Sequence, residues 1–158
     1  VEFHSMSKSF SMTGWRVAWA VGNPELLAAL QTIKSYHDTG AFMALQQASA
    51  DVLDQAEALV KPGVAAFRAR RDLTIELLAK VGFEVPVPQA TMYLWVPLPD
   101  GIASAEFTRM AMDDEGVVML PGSAFGPSAE GYFRIALTVN EARLAEATER
   151  IGRVLARA

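Results

Sequence analysis

Apolar positions change their spacing along the chain, and the change divides it. Residues 15–21, Trp15-Arg16-Val17-Ala18-Trp19-Ala20-Val21, alternate bulky and small side chains and stop at Gly22-Asn23-Pro24, which predicts a buried strand closed by a turn. Pro24 suits the first turn of a helix, where its missing N–H leaves no bond unmade. Leu26, Leu27, Leu30 and Ile33 follow at helical spacing, so an amphipathic helix is expected from 24 to about 36. Thr39-Gly40 breaks it. Over 41–60 the spacing returns with Phe42, Leu45, Ala48, Val52 and Leu53. Pro62-Gly63 is expected to interrupt before a further helix that carries Val64, Phe67, Leu73, Leu77 and Leu78 and ends at Gly82.

From residue 83 the pattern shortens. Phe83-Glu84-Val85, Met92 to Val96, Val117 to Leu120 and Tyr132 to Leu137 are β-prone runs, with helical patterns over about 104–115 and 140–157 among them. Strands with intervening helices predict an α/β sandwich in which helices cover a small sheet. A boundary near residue 82 then separates the tail of one domain, 1–82, from a small compact one, 83–158. The cluster Arg68-Ala69-Arg70-Arg71 reads as a solvated helix face.

Composition narrows the function classes. The 158 residues, 51% apolar and 20% charged, fit one ordinary domain or a piece of a larger protein and exclude a collagen, a disordered tail and a coiled coil. With 14 Lys and Arg against 18 Asp and Glu, net charge −4, no nucleic-acid partner is expected. Cysteine is absent, so there is no disulfide framework or thiolate metal site, and His4 and His37 are the only histidines; no metal is expected. No uncharged apolar run is long enough for a membrane span and no signal-peptide pattern opens the chain, so a soluble, cytoplasmic protein without a membrane partner is expected. The opening Val1-Glu2-Phe3 reads as a chain entered partway.

Three segments carry candidate chemistry. Ser5-Met6-Ser7-Lys8, with Ser9, Ser11, Thr13-Gly14 and Arg16, packs hydroxyls and two cations into one short stretch, a donor set suited to a multiply charged anion such as a phosphate. A lysine beside a second cation and among Phe10, Met12 and Trp15 is also a candidate nucleophilic amine, able to hold an aldehyde as a Schiff base. The same serines suit a surface loop that caps a helix. Arg134 stands alone in the apolar run Gly131 to Leu137; a guanidinium there calls for an anionic partner, either a substrate carboxylate, an acidic residue of the fold, or solvent on an exposed sheet face. Leu120-Pro121-Gly122-Ser123-Ala124-Phe125-Gly126 is a loop that lets backbone approach a ligand or merely turns a corner.

These segments together resemble a known family. Ser5-x-Ser7-Lys8 followed by Met12-Thr13-Gly14-Trp15-Arg16 resembles the lysine signature of the class I and II, fold-type I, pyridoxal 5′-phosphate-dependent aminotransferases. Pro121 to Gly126 and Gly131 to Leu137 resemble the carboxy-terminal motifs of that family in order and separation. The resemblance covers essentially the whole chain, corresponding to roughly the last two-fifths of such an enzyme. It implies the end of the large cofactor-binding domain followed by a small α/β-sandwich domain. It implies that Lys8 holds the cofactor as a Schiff base, that Ser5 and Arg16 bind its phosphate, and that Arg134 binds the substrate α-carboxylate. Ala18 departs from the family's usual glycine. Lys34 to Phe42, Gln46-Gln47 and Pro88 to Trp95 look most like the branch of LL-diaminopimelate, succinyldiaminopimelate and alanine/aspartate aminotransferases, in which the loop equivalent to 37–42 can reach a partner subunit.

The reaction implied is a double displacement between an amino acid and a 2-oxo acid, 2-oxoglutarate being the usual family acceptor, in a homodimer. The family's phosphate loop, its ring-stacking aromatic residue, its Asn and Tyr, and its Asp facing the pyridine nitrogen cannot be located in these residues. The 158 residues alone are therefore expected to lack appreciable activity and to expose apolar surface. Two other readings compete for the same residues. Ser5-x-x-Lys8 matches the acyl-enzyme Ser-x-x-Lys motif, but Ser-Asp-Asn and Lys-Thr-Gly are missing, and the acylated serine there should open a helix. An aminotransferase-like domain of a transcription regulator would place a winged helix at the amino end.

Overall fold

β1 (Glu2–Ser5) and β2 (Ala18–Val21) pair antiparallel, with Glu2 opposite Val21 and Ser5 opposite Ala18. Between them run α1 (Met6–Ser9) and a 3-10 turn at Thr13–Trp15. In this computed structural model, which describes residues 1–38 and 40–158, the chain divides into two compact units, Val1–Val64 and Ala65–Ala158. The strand expected over 15–21 starts only at Ala18, because Trp15 closes the 3-10 turn and Arg16 takes a left-handed φ of 56°. Nor is it a buried strand. Ala18 and Val21 are exposed, and the buried residue is Val17, which joins Met6 and Met12 in a small core flanked by Phe10, Trp19, Leu45 and Val52.

Asn23 ends the turn after β2 by accepting the N–H groups of Glu25 and Leu26 at 2.9 and 3.2 Å, and α2 (Pro24–His37) follows as expected. Leu27 and Leu30 are half-buried, whereas Ile33 and Tyr36 stand 69% and 90% exposed, so much of the apolar stripe faces outward in this unit. Of the expected Thr39-Gly40 break, Thr39 lies outside the described residues; Asp38 is extended and Gly40 has φ of 94°. α3 (Met43–Asp54) and α4 (Ala56–Lys80) come next. Pro62-Gly63 does not interrupt the helix: α4 runs through it, forgoing the one hydrogen bond that Pro62 cannot donate, and the division between the units falls just beyond.

In the second unit, β3 (Tyr93–Pro97), β4 (Leu120–Pro121) and β5 (Tyr132–Ala136) form an antiparallel sheet in the order β3-β5-β4. Strand periodicity sends Leu94, Val96, Phe133 and Ile135 into a core completed by α5 (Ser104–Glu115), α6 (Glu141–Leu155) and the end of α4. Phe83, Phe107 and Phe133 meet there with ring centroids 5.3–6.1 Å apart, within edge-to-face range. Two expected strands shrink. Phe83 to Val85 forms none, since the Phe83 N–H donates back to the Leu78 carbonyl and Pro86 and Pro88 follow without donors. Val117 is tied to the Ala111 carbonyl, so only Leu120 and Pro121 reach β5.

The basic cluster in α4 is not simply solvated. Arg70 pairs with Glu141 at 2.9 Å and reaches the Leu137 carbonyl, and Arg71 bonds Asp72 and the Pro88 carbonyl, pinning the helix to its neighbours within this unit.

Candidate active site

The Lys8 segment is built by backbone turns. Ser5 is the N-cap of α1: its Oγ accepts the Ser7 N–H at 3.1 Å and leans toward the Val17 carbonyl. Ser5 thus opens a helix, in keeping with the expectation that these serines suit a loop that caps one, though a helix of only four residues. The Met6 N–H donates to the Val17 carbonyl and the Met12 N–H to the Met6 carbonyl, folding residues 6–17 onto the Met6 core. Thr13 Oγ1 donates to the Ser7 carbonyl at 3.0 Å, and Arg16 donates one guanidinium N–H to the Thr13 carbonyl at 2.8 Å.

Two residues of this stretch, Ser11 and Arg16, each have φ of 56°, a left-handed conformation that costs a non-glycine residue about 1–2 kcal/mol. Strain of that kind persists where the surroundings over-determine it, often at functional sites. The strained turn presents Lys8 and Arg16 to solvent. Helix-capping Ser5 and the solvent-exposed cations Lys8 and Arg16 are therefore present in one loop.

Arg134 belongs to the other unit, opposite Trp95 of β3 and Leu120 of β4. It is half-buried on the sheet face away from the core. Its guanidinium carbon lies 4.2 Å from the Tyr93 ring centroid and 5.0 Å from that of Phe125. Phe125 in turn meets Trp95 edge-on at 5.3 Å, and Trp95 stacks on Tyr132 at 5.5 Å. Among the described residues, no acidic side chain of the fold serves as its partner. Nine of the 14 Lys and Arg pair with a carboxylate among the described residues; Lys8, Arg16 and Arg134 do not, nor do Arg68 and Arg143.

The loop at 120–126 makes a close backbone approach, but to the chain itself. A Cβ on Gly122 would lie 1.9 Å from the Ala129 carbonyl oxygen and 2.8 Å from that of Tyr132. Ser123 and the buried Ser104 bond each other, and Glu130 accepts the Ser104 N–H at 2.6 Å and its hydroxyl at 3.0 Å. The Ser104 N–H, above all, holds the Glu130 carboxyl below the ordinary glutamate range, with the Gly131 N–H adding to it. Sequence reasoning missed Tyr93, Phe125, Ser104 and Glu130 as neighbours of the site; the aromatic alternation Tyr93-x-Trp95 beside Arg134 was the available signal. His37 is exposed at the end of α2, and among the described residues no three His, Asp or Glu gather as metal ligands.

The family described as aminotransferase class I and II matches residues 1–151 of the chain. The LL-diaminopimelate aminotransferase of Nitratidesulfovibrio vulgaris strain Hildenborough is 47% identical over 154 residues, covering 98% of this chain and 40% of that protein. The enzyme of the same name from Aquifex aeolicus is 46% identical over 151 residues, 96% of this chain and 39% of that one. Among solved structures, a probable N-succinyldiaminopimelate aminotransferase of Thermus thermophilus superposes with a TM-score of 0.91 at 33% identity, over 97% of this chain and 41% of the other. An aromatic aminotransferase of Pyrococcus horikoshii gives 0.92 at 29%, over 98% and 42%. The chain thus spans about two-fifths of the length of these relatives.

Proposed function

Because the chain belongs to the class I and II aminotransferases, we propose that it supplies the lysine and the two arginines with which such an enzyme moves an amino group from an amino acid to a 2-oxo acid. Residues 1–82 end the large cofactor-binding domain in this reading, residues 83–158 form the small α/β domain, and the active enzyme is a cytoplasmic homodimer. The observation that carries it is Arg134: a half-buried guanidinium flanked by two rings, with no carboxylate of the fold to satisfy it among the described residues. No carboxylate of the fold takes the donors of this cation among the described residues, and a ligand carboxylate matches their fork.

The donor set around Lys8 fits the family's cofactor, pyridoxal 5′-phosphate. When bound, that group supplies an electron sink for the pair left at the substrate Cα. Lys8 offers an exposed amine without a competing acid, suited first to hold the cofactor and then to carry the proton at Cα. Ser5 and Arg16 offer a hydroxyl and a guanidinium, charge-assisted donors for the phosphate. Arg134 orients the amino acid through its α-carboxylate. The amino group is left on the enzyme as one 2-oxo acid departs and is taken up by a second, which gives ping-pong kinetics.

Identities of 46–47% to two LL-diaminopimelate aminotransferases support that compound as amino donor, with 2-oxoglutarate as acceptor. The helix that Ser5 opens is shared with the acyl-enzyme alternative, which still lacks Ser-Asp-Asn and Lys-Thr-Gly, and no observation favours the regulatory one. Reduction with borohydride in the presence of pyridoxal phosphate should fix the cofactor to the peptide containing Lys8 in the intact enzyme, and Lys8→Arg should abolish the label. Label on another lysine, or an intact enzyme that leaves LL-diaminopimelate and 2-oxoglutarate unchanged, would overturn the cofactor and the substrate assignments respectively.

A further inference from the structure

We infer that Tyr93 and Phe125 are positioning residues that clamp the Arg134 guanidinium as a fixed fork for the α-carboxylate, an inference that rests on the carboxylate role proposed above. An arginine side chain has several rotatable bonds, and one without an ionic partner spreads over many rotamers. Here two π faces substitute for a counter-ion. The guanidinium carbon sits 4.2 Å from one centroid and 5.0 Å from the other, well within the range of about 6 Å at which a ring attracts a cation. The rings attract the cation without accepting its N–H groups as a carboxylate would, and no carboxylate of the fold takes those donors among the described residues, so they stay available to a carboxylate ligand.

The two rings are themselves held. Tyr93 is fixed by the β3–β5 register, two residues along from Trp95, which faces Arg134. Phe125 rides on a loop with little freedom: Gly122 packs against the Ala129 and Tyr132 carbonyls, Ser123 is bonded to Ser104, and Ser104 to Glu130. The edge of Trp95 against Phe125 closes the set at 5.3 Å. Holding a donor fork before the ligand arrives removes an ordering cost from binding.

The test uses the intact holoenzyme and two probes, α-methyl-L-glutamate, which lacks the Cα proton and cannot be turned over, and its α-carboxamide, which lacks the α charge. The readout is the ratio of their dissociation constants. Arg134→Leu should erase the preference for the carboxylate. Tyr93→Leu and Phe125→Leu should each reduce it roughly three- to tenfold, while Tyr93→Phe retains it. A general loosening of the fold weakens both probes alike and leaves the ratio unmoved. If Phe125→Leu does not accumulate folded, Phe125→Met, which keeps apolar volume without a π face, is read instead. A wild-type ratio in the ring variants, with the preference lost in Arg134→Leu, overturns the clamp and spares the carboxylate role. A preference that survives in Arg134→Leu overturns the carboxylate role and the clamp with it.

Discussion

Gly122 shows how narrow the tolerances beside Arg134 are. With 1.9 Å between a would-be Cβ and the Ala129 carbonyl oxygen, Gly122→Ala must push two backbone segments apart. Overpacking of this kind costs about 1–3 kcal/mol, so the urea midpoint of the variant should fall clearly; an unchanged midpoint would mean that the loop is slacker than described. Ser104 is fully buried, and its hydroxyl bonds both Ser123 and Glu130. Ser104→Ala should cost about 1–3 kcal/mol for the partners left unpaired, read by the same titration. Arg134 itself was legible in the sequence as a lone cation in an apolar run. Its ring partners were not: the alternation Tyr93-x-Trp95 marks two rings on one strand face, but that they and Phe125 meet Arg134 is decided by strand register and a loop.

At the scale of elements, helices were read well where apolar spacing and a cap agreed, as in Pro24–His37 with Asn23 before it and Ser104–Glu115 with Gly116 after it. Strands were read less well, since β-prone runs become strands only if a neighbour is there to bond them, and Phe83 to Val85 has none. Proline was misread in α4. A single missing N–H near position 62 does not end a 25-residue helix whose later turns bury Thr74 and Leu78. Restoring the bond with Pro62→Ala should stabilise the helix, by at most about 3 kcal/mol; a lower melting temperature in that variant would show instead that the proline is accommodated for packing reasons.

For the whole molecule, stability should fall in acid. Glu130 is held ionised chiefly by the Ser104 N–H, Glu115 chiefly by Arg153 and next by Arg157, and Glu141 by its own N–H and then Arg70. All three carboxyls lie below the ordinary glutamate range when folded, so the unfolded chain binds protons first. Their contribution is therefore complete above that range and is lost as pH falls through the lowered folded values. Denaturation midpoints measured from neutral pH downward should drop there, and Glu115→Gln with Glu130→Gln should flatten the slope; a slope unaltered by both changes would contradict these contacts. The family was legible because its signatures are contiguous runs at Ser5–Arg16, Pro121–Gly126 and Gly131–Leu137. The division of the chain into two compact units inside α4 rests on contacts far apart in sequence, which no contiguous run encodes.

α5 begins at Ser104 after Ala103, which offers no side chain to its first turn, and the acceptor for its leading N–H is Glu130, 26 residues further on. An excised peptide of this segment should consequently be a poor helix former in water, and during synthesis the element must wait for later residues to emerge before its start is secured. Order in α5 is thus borrowed from the turn that leads into β5, and hydrogen exchange at the Ser104 amide should report the docking of that later segment rather than local coil-to-helix fluctuation.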